Sequence, residues 1–209
     1  MLLAVVSMTL LRAENKFTLS AGAGPAFPVR GLKKMVGTGY GAGGSIGLQL
    51  NDNICIVARG GYYRWQFDSE KINASIAASG GTAGFDVSGP FVAIPLLIGG
   101  DVTFDGAAVR PYIGLSGGVC LLRWRIAGST PGAGSAGERS SSWTEPAMSA
   151  DAGLKVVLSR TMSLDIGAVY IAFSNADNRS EPSGFLGTKI TGTNTATFIG
   201  VLAGLHVAF

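Results

Sequence analysis

Charge is scarce in this chain. Only 14% of its 209 residues are Asp, Glu, Lys or Arg, well below the roughly 25% of a soluble domain. The 16 basic residues stand singly apart from Lys33 and Lys34, which leaves no patch suited to a nucleic-acid backbone. Cysteine is nearly missing. Cys55 and Cys120 are alone, with no CxxC, and two thiols do not make a disulfide framework. A single histidine, His206, argues against a zinc site. Long hydrophobic runs are lacking as well: after the N-terminal segment no stretch of 18 or more apolar residues occurs, so membrane-spanning helices are not expected.

What is present is glycine and apolar side chains. Glycine supplies 32 residues and hydrophobic residues 47% of the chain, with no G-X-Y period that would indicate collagen. The length suits one domain with a sizeable core and is short for two. Met1–Leu11, followed by Arg12-Ala13-Glu14-Asn15, reads as the apolar region of a secretory signal with a cut after Ala13. Residues 1–13 are therefore expected to be a signal peptide; the segment lacks a basic start, so either that start is trimmed or the segment is an apolar first strand.

From Phe17 onward, apolar stretches punctuated by glycine alternate with period two, and period 3.6 is nowhere sustained. The expected strands are Phe17–Ala26, Thr38–Leu50, Ile54–Phe67, Gly84–Phe104, Ala108–Ile126, Trp143–Ser159, Met162–Phe173 and Thr195–Phe209, the fourth to sixth being long enough for their outer ends either to protrude from the bilayer or to be loop. Tight turns at Leu50–Ile54, Phe104–Ala107 and Ser159–Thr161 alternate with long links at Pro28–Gly37, Asp68–Ala83, Ala127–Ser142 and Ser174–Asn194. Short turns on the periplasmic side and longer loops outside are the signature of a membrane barrel. The expected fold is thus all-β: a closed antiparallel transmembrane barrel of about eight strands in an up-and-down meander, spanning residues 17–209, with both ends in the periplasm. Lipid tolerates no open strand edge, so the first strand must pair with the last.

The face opposite the apolar one is rich in small residues with isolated charges, as a narrow lumen requires. Arg59, Arg110, Lys155, Asp151 and Asp165, with Asp101 and Glu145, are the candidates for a lumen polar network, read either as structural pairing or as a polar constriction. Tyr62, Trp65, Trp124 and Trp143 are candidates for an interfacial aromatic girdle, the alternative being lumen or loop packing. Cys55 and Cys120 fall on the inner face of non-neighbouring strands, so two free thiols are expected. His206 lies on the lumen face with no nucleophile and orienting group at a fixed spacing. The Gly-, Ala- and Ser-rich links at 68–83 and 127–142 are expected to be weakly ordered.

Ile94-Pro95-Leu96-Leu97-Ile98 followed by Arg110-Pro111-Tyr112-Ile113-Gly114, together with the terminal Phe209, resembles the eight-stranded outer-membrane barrels grouped as OmpA-like, OmpX-like or porin-family proteins. The resemblance runs over Phe17–Phe209. It implies residence in the outer membrane of a Gram-negative bacterium, contact with outer-membrane lipid and lipopolysaccharide, and a role for Phe209 in recognition by the barrel-assembly machinery, although Val207 stands where an aromatic is usual. It implies a structural or surface-interaction role without catalysis or cofactor, with an extracellular ligand reached through the loops. The alternatives are a narrow pore for small polar solutes and a lipid-modifying enzyme; the deacylase type pairs a late histidine with serine, which His206-Val207-Ala208 lacks.

Overall fold

Alternation of small and apolar residues leaves each strand with one oily face, and closing the sheet decides where that face points. In the computed structural model, which describes residues 16–78, 84, 86–129, 136–174 and 195–209, the sheet closes on itself. The strands are β1 (Lys16–Arg30), β2 (Gly39–Gln49), β3 (Ile54–Gln66), β4 (Asp86–Ser88), β5 (Pro90–Thr103), β6 (Val109–Ser129), β7 (Ala136–Val157), β8 (Met162–Ser174) and β9 (Thr195–Ala208). β4 and β5 share one register against β6, Asp86 facing Ser129 and Phe91 facing Trp124, and are parted only at Gly89. They form a single stave with a kink, and the barrel has eight staves. Gly89 adopts a φ of +132°, and a Cβ there would run into the carbonyl of Arg125, so the kink requires glycine.

Neighbours in sequence pair antiparallel around the ring, and β1 pairs with β9 from Thr18–Ala208 to Arg30–Ala196. The seam is closed at its very end by the Phe209 amide donating to the Phe17 carbonyl at 2.9 Å. The three tight turns lie where the sequence places them. Asn51 Oδ1 accepts from the amides of Asn53 and Ile54 at 2.9 and 2.8 Å, and the Ser159 hydroxyl accepts from the Met162 amide at 3.1 Å. Both are side-chain turns that free the chain from any need for longer connections.

The apolar set points outward. Leu115 is 71% exposed and Ile98 68%, and Ile166, Val201 and Leu205 are exposed with them, while Leu164 is half-buried. Water would make such a surface costly at about 25 cal/mol per Å²; hydrocarbon does not. Exposed aromatics mark both borders of the band, Phe17, Phe104 and Phe209 at the turn end and Phe27, Tyr40 and Tyr62 at the loop end. Phe17 and Phe27 are ten residues apart on one strand, which at the usual rise and tilt is about 25 Å of height.

Two expectations about the links need correction. Much of 127–142 is strand, because β6 and β7 continue as a ladder to Ser129–Ala136; at 21 and 22 residues they exceed the 9–11 or so that cross a bilayer, and their outer ends stand clear of it. Ser69–Ala78 is a helix, α1, with Ile72 and Ile76 buried. Isoleucines four apart give one apolar side, a local period too short to stand out in an alternating sequence. A 3-10 turn, Gly31–Lys34, buries Leu32 beside it. Residues 1–13, the expected signal peptide, lie outside the described residues, as do most of the 174–194 link and the tip of the 127–142 link.

Candidate functional site: the two halves of the lumen

The inner face changes character along the barrel axis. Toward the turn end it is polar. β3 presents Arg59, β5 presents Asp101 and β7 presents Asp151, and these converge because Arg59 sits one stave from Asp101 and across the lumen from Asp151. Arg59 Nη2 pairs with Asp101 Oδ1, Nη1 donates to the Ser116 hydroxyl, and Nη1 lies 3.1 Å from Asp151 Oδ2. Gly114 is the floor of this cluster. Added to it, a Cβ would collide with Asp101 Oδ1 and crowd both Asp151 and Arg59, so the cluster occupies the space a side chain would take. A second group adjoins it: the Tyr112 hydroxyl donates to Asp165 Oδ1 at 2.9 Å, and Lys155 Nζ stands 5.1 Å from the Tyr112 ring centre. A cavity of about 120 Å³ lies among these residues, with Ser45, Tyr63 and His206 in its wall.

Of the expected polar network, Arg59, Asp151, Lys155 and Asp165 are therefore together, joined by Asp101. Arg110 is not. It is exposed at the turn-end rim, where its Nε donates to the Gly106 carbonyl at 3.1 Å. It lies on the lumen parity but only one residue into β6, too near the end of the strand to reach the interior. Glu145 is buried on the inner face further toward the loop end.

Apart from Glu145 and the buried Thr197, that loop-end half is apolar and filled. Trp65 stacks near Tyr63, with ring centres 6.2 Å apart, and meets Phe198 edge-on at 4.8 Å; Phe91 closes on Trp65 at 6.0 Å and on Phe67 at 6.3 Å. The Trp65 indole N–H donates to the Ala26 carbonyl at 3.0 Å, which satisfies the one polar atom this ring buries. Leu122, Trp124, Ile126, Ile171 and Phe173 extend the same cluster, and Leu32, Val36, Ile72 and Ile76 continue it under the loop end. The helix is tied down by polar bonds. Ser69 Oγ donates to the Val87 carbonyl at 2.8 Å and accepts from the Val87 amide at 2.9 Å, and Lys71 Nζ donates to the Val36 carbonyl at 3.0 Å.

The girdle expectation is corrected by this packing. Trp65 is 1% exposed and Trp124 5%, both inside the barrel, and Trp143 packs partly buried against the same cluster. Only Tyr62 faces outward, at 43% exposure. Parity is the reason: Trp65 lies six residues from inward-facing Arg59, and Trp124 four from inward-facing Cys120. Both cysteines are free, Cys120 buried and Cys55 half-buried 3.8 Å from the Thr18 hydroxyl. His206 faces Ser20 on one side and Ser163 on the other in the ladder, but the Ser20 hydroxyl is paired with that of Ser45 at 2.8 Å. The described residues contain no group of three or more metal-ligating side chains.

A barrel closed by its own first and last strands, oily outside and filled within, has solved counterparts. The chain has the fold of the eight-stranded outer-membrane β-barrels. A major outer membrane protein from Thermus thermophilus superposes with a TM-score of 0.51 at 14% identity, over 94% of this chain and 100% of that one. Ail, the attachment invasion locus protein of Yersinia pestis, solved in complex with the heparin analogue sucrose octasulfate, gives 0.50 at 12% identity over the same shares. No protein-family model matches the sequence, and no curated protein does. At these identities the likeness lies in the fold alone.

Proposed function

We propose that the protein is an integral outer-membrane barrel with a structural and surface-interaction role, in which the barrel anchors a loop-end platform and is not a conduit. The carrying observation is the apolar plug. Tyr63, Trp65, Phe91 and Phe198 fill the cross-section above the polar chamber, and an eight-stranded interior is just wide enough for side chains to fill. The cavity below the plug is thus a dead end, and the Arg59–Asp101–Asp151 pairing serves to satisfy buried charge. The ladder of β6 and β7 rising past the membrane border, with α1 bonded to β4 at the outer end of β6, is the surface offered outside. The N-terminal 13 residues fit a secretory signal, and Phe209, exposed and bonded at the seam, fits a recognition element for the machinery that inserts barrels.

Two measurements test this. The folded protein should partition with detergent or bilayers and migrate faster unheated than heated on a denaturing gel. Reconstituted in a planar bilayer it should give no discrete conductance steps. Reproducible steps from the intact protein would transfer the role to a solute pore, and a monomer soluble without detergent would sink the membrane reading itself.

A further inference from the structure

Among the described residues, positive charge on the outer surface of the wall is confined to one place. Among the described residues that face outward from the staves, the only cations are Arg64 on β3 and Arg123 and Arg125 on β6. The register places two of them on one level, with Arg64 opposite Val92 and Val92 opposite Arg123. Two strand spacings set their Cα atoms about 10 Å apart, within convergence of two long side chains over the short Val92 between them. Arg125, one step higher, already pairs with Glu138. Arg64 and Arg123 have no carboxylate partner among the described residues, and Arg64 Nε is shielded from solvent without an acceptor.

Their height is what gives this meaning. Tyr62 is the next outward residue below Arg64, Tyr40 is its cross-strand neighbour, and Leu121 lies next below Arg123. Tyr40, Tyr62, Leu96 and Leu121 are all exposed large apolar residues. The two guanidinium groups therefore stand at the outer border of the lipid-facing band, directly above an oily wall. Planar, always-charged forks suit phosphate oxygens. We propose that Arg64 and Arg123 clamp a phosphate of a lipid A headgroup in the outer leaflet, with its acyl chains lying on Tyr62, Leu96 and Leu121. This rests on the membrane reading above and gives that contact its residues.

The test uses the full-length protein in detergent, titrated with bis-phosphorylated lipid A and followed by native mass spectrometry. The wild type should retain lipid A, and Arg64→Gln/Arg123→Gln should weaken it by about tenfold or more, the loss of two charge-assisted contacts. Arg64→Lys/Arg123→Lys keeps the charge without the fork and should fall between them. Lys33→Gln/Lys34→Gln, which removes as much charge from the 3-10 turn, should bind as the wild type does. Each variant is first checked for heat-modifiable mobility, so a failure of the membrane reading would be visible in the wild type before any lipid is added. Equal retention by wild type and the double glutamine variant would overturn the clamp. So would dephosphorylated lipid A binding as well as the phosphorylated form, or inorganic phosphate competing at equal concentration, which would make this a free-anion site.

Discussion

The turn-end and loop-end halves of the lumen solve the same problem, filling a narrow tube, with opposite chemistry. The turn-end half holds Arg59, Asp101, Asp151, Lys155 and Asp165 around a cavity, and leaves room by using glycine, as at Gly114. The loop-end half leaves none, with Trp65 and Phe198 packed ring against ring. A packed aromatic layer gains from area removed from water and from close contact. A buried ionic cluster gains little net, because desolvation offsets attraction, yet it punishes the loss of any one member. The difference predicts that the loop-end half supplies stability and the turn-end half demands completeness.

The sharpest break of that contrast is Trp65→Ala. It leaves a cavity in a layer whose neighbours are held by the closed sheet, and a loss of about 3–5 kcal/mol is expected, read as a lower urea midpoint in lipid vesicles. A midpoint unchanged within about 1 kcal/mol would mean the plug contributes no packing. Arg59→Met comes next, at about 3 kcal/mol, the low end for stranding buried carboxylates, since the cavity leaves those carboxylates space to rearrange. The informative variant is Arg59→Met with Asp101→Asn and Asp151→Asn. Removing the whole cluster should restore most of the loss, whereas no polar companion should rescue Trp65→Ala. If the triple variant is as unstable as the single one, the cluster contributes more than satisfied charge.

How much of this was legible in the sequence follows the same division. The closed meander, the three tight turns, the outward set on β8 and β9 and most of the ionic cluster are written in period-two order, because a strand has only two faces and each residue must choose one. The same rule already placed Trp65 with Arg59 and Trp124 with Cys120. Reading those rings as a girdle let the amphipathic nature of tryptophan outweigh parity. The plug was hard to see for another reason: its members come from every strand but β2, and only the barrel's shear brings them to one level. Arg110 failed on position along the strand, which parity does not report. Helix α1 hid in a link whose Ala and Ser residues read as loop, since two buried isoleucines are too short a signal.

Smaller effects sharpen the picture at the edges of each half. Tyr112→Phe removes the hydroxyl donated to Asp165 and keeps the ring under Lys155, so about 1.5–2 kcal/mol is expected, measured by the same urea titration. At the loop end, α1 starts on Asp68: its carbonyl accepts from the Ile72 amide at 3.0 Å and its Oδ1 from the Lys71 amide at 3.3 Å, with Lys71 Nζ 3.3 Å from Oδ2. The Lys71 amide bond, followed by the Lys71 charge, lowers the Asp68 pKa below its ordinary value. A carboxyl acid-strengthened by folding stabilises the folded state when ionised. Its contribution is fully present above the ordinary carboxylate pKa of about 4 and is lost as pH falls through the lower folded value. Asp68 is partly exposed at the end of one helix, so the pH effect is small and local. Asp68→Ala should cost α1 about 1 kcal/mol, seen as a loss of helical Cα chemical shifts at 69–72 at neutral pH. The wild-type helix should approach the same shifts only in acid, while the barrel strands stay unchanged. Helical shifts that were equal in the variant and the wild type at neutral pH would mean α1 is held by Ile72 and Ile76 alone.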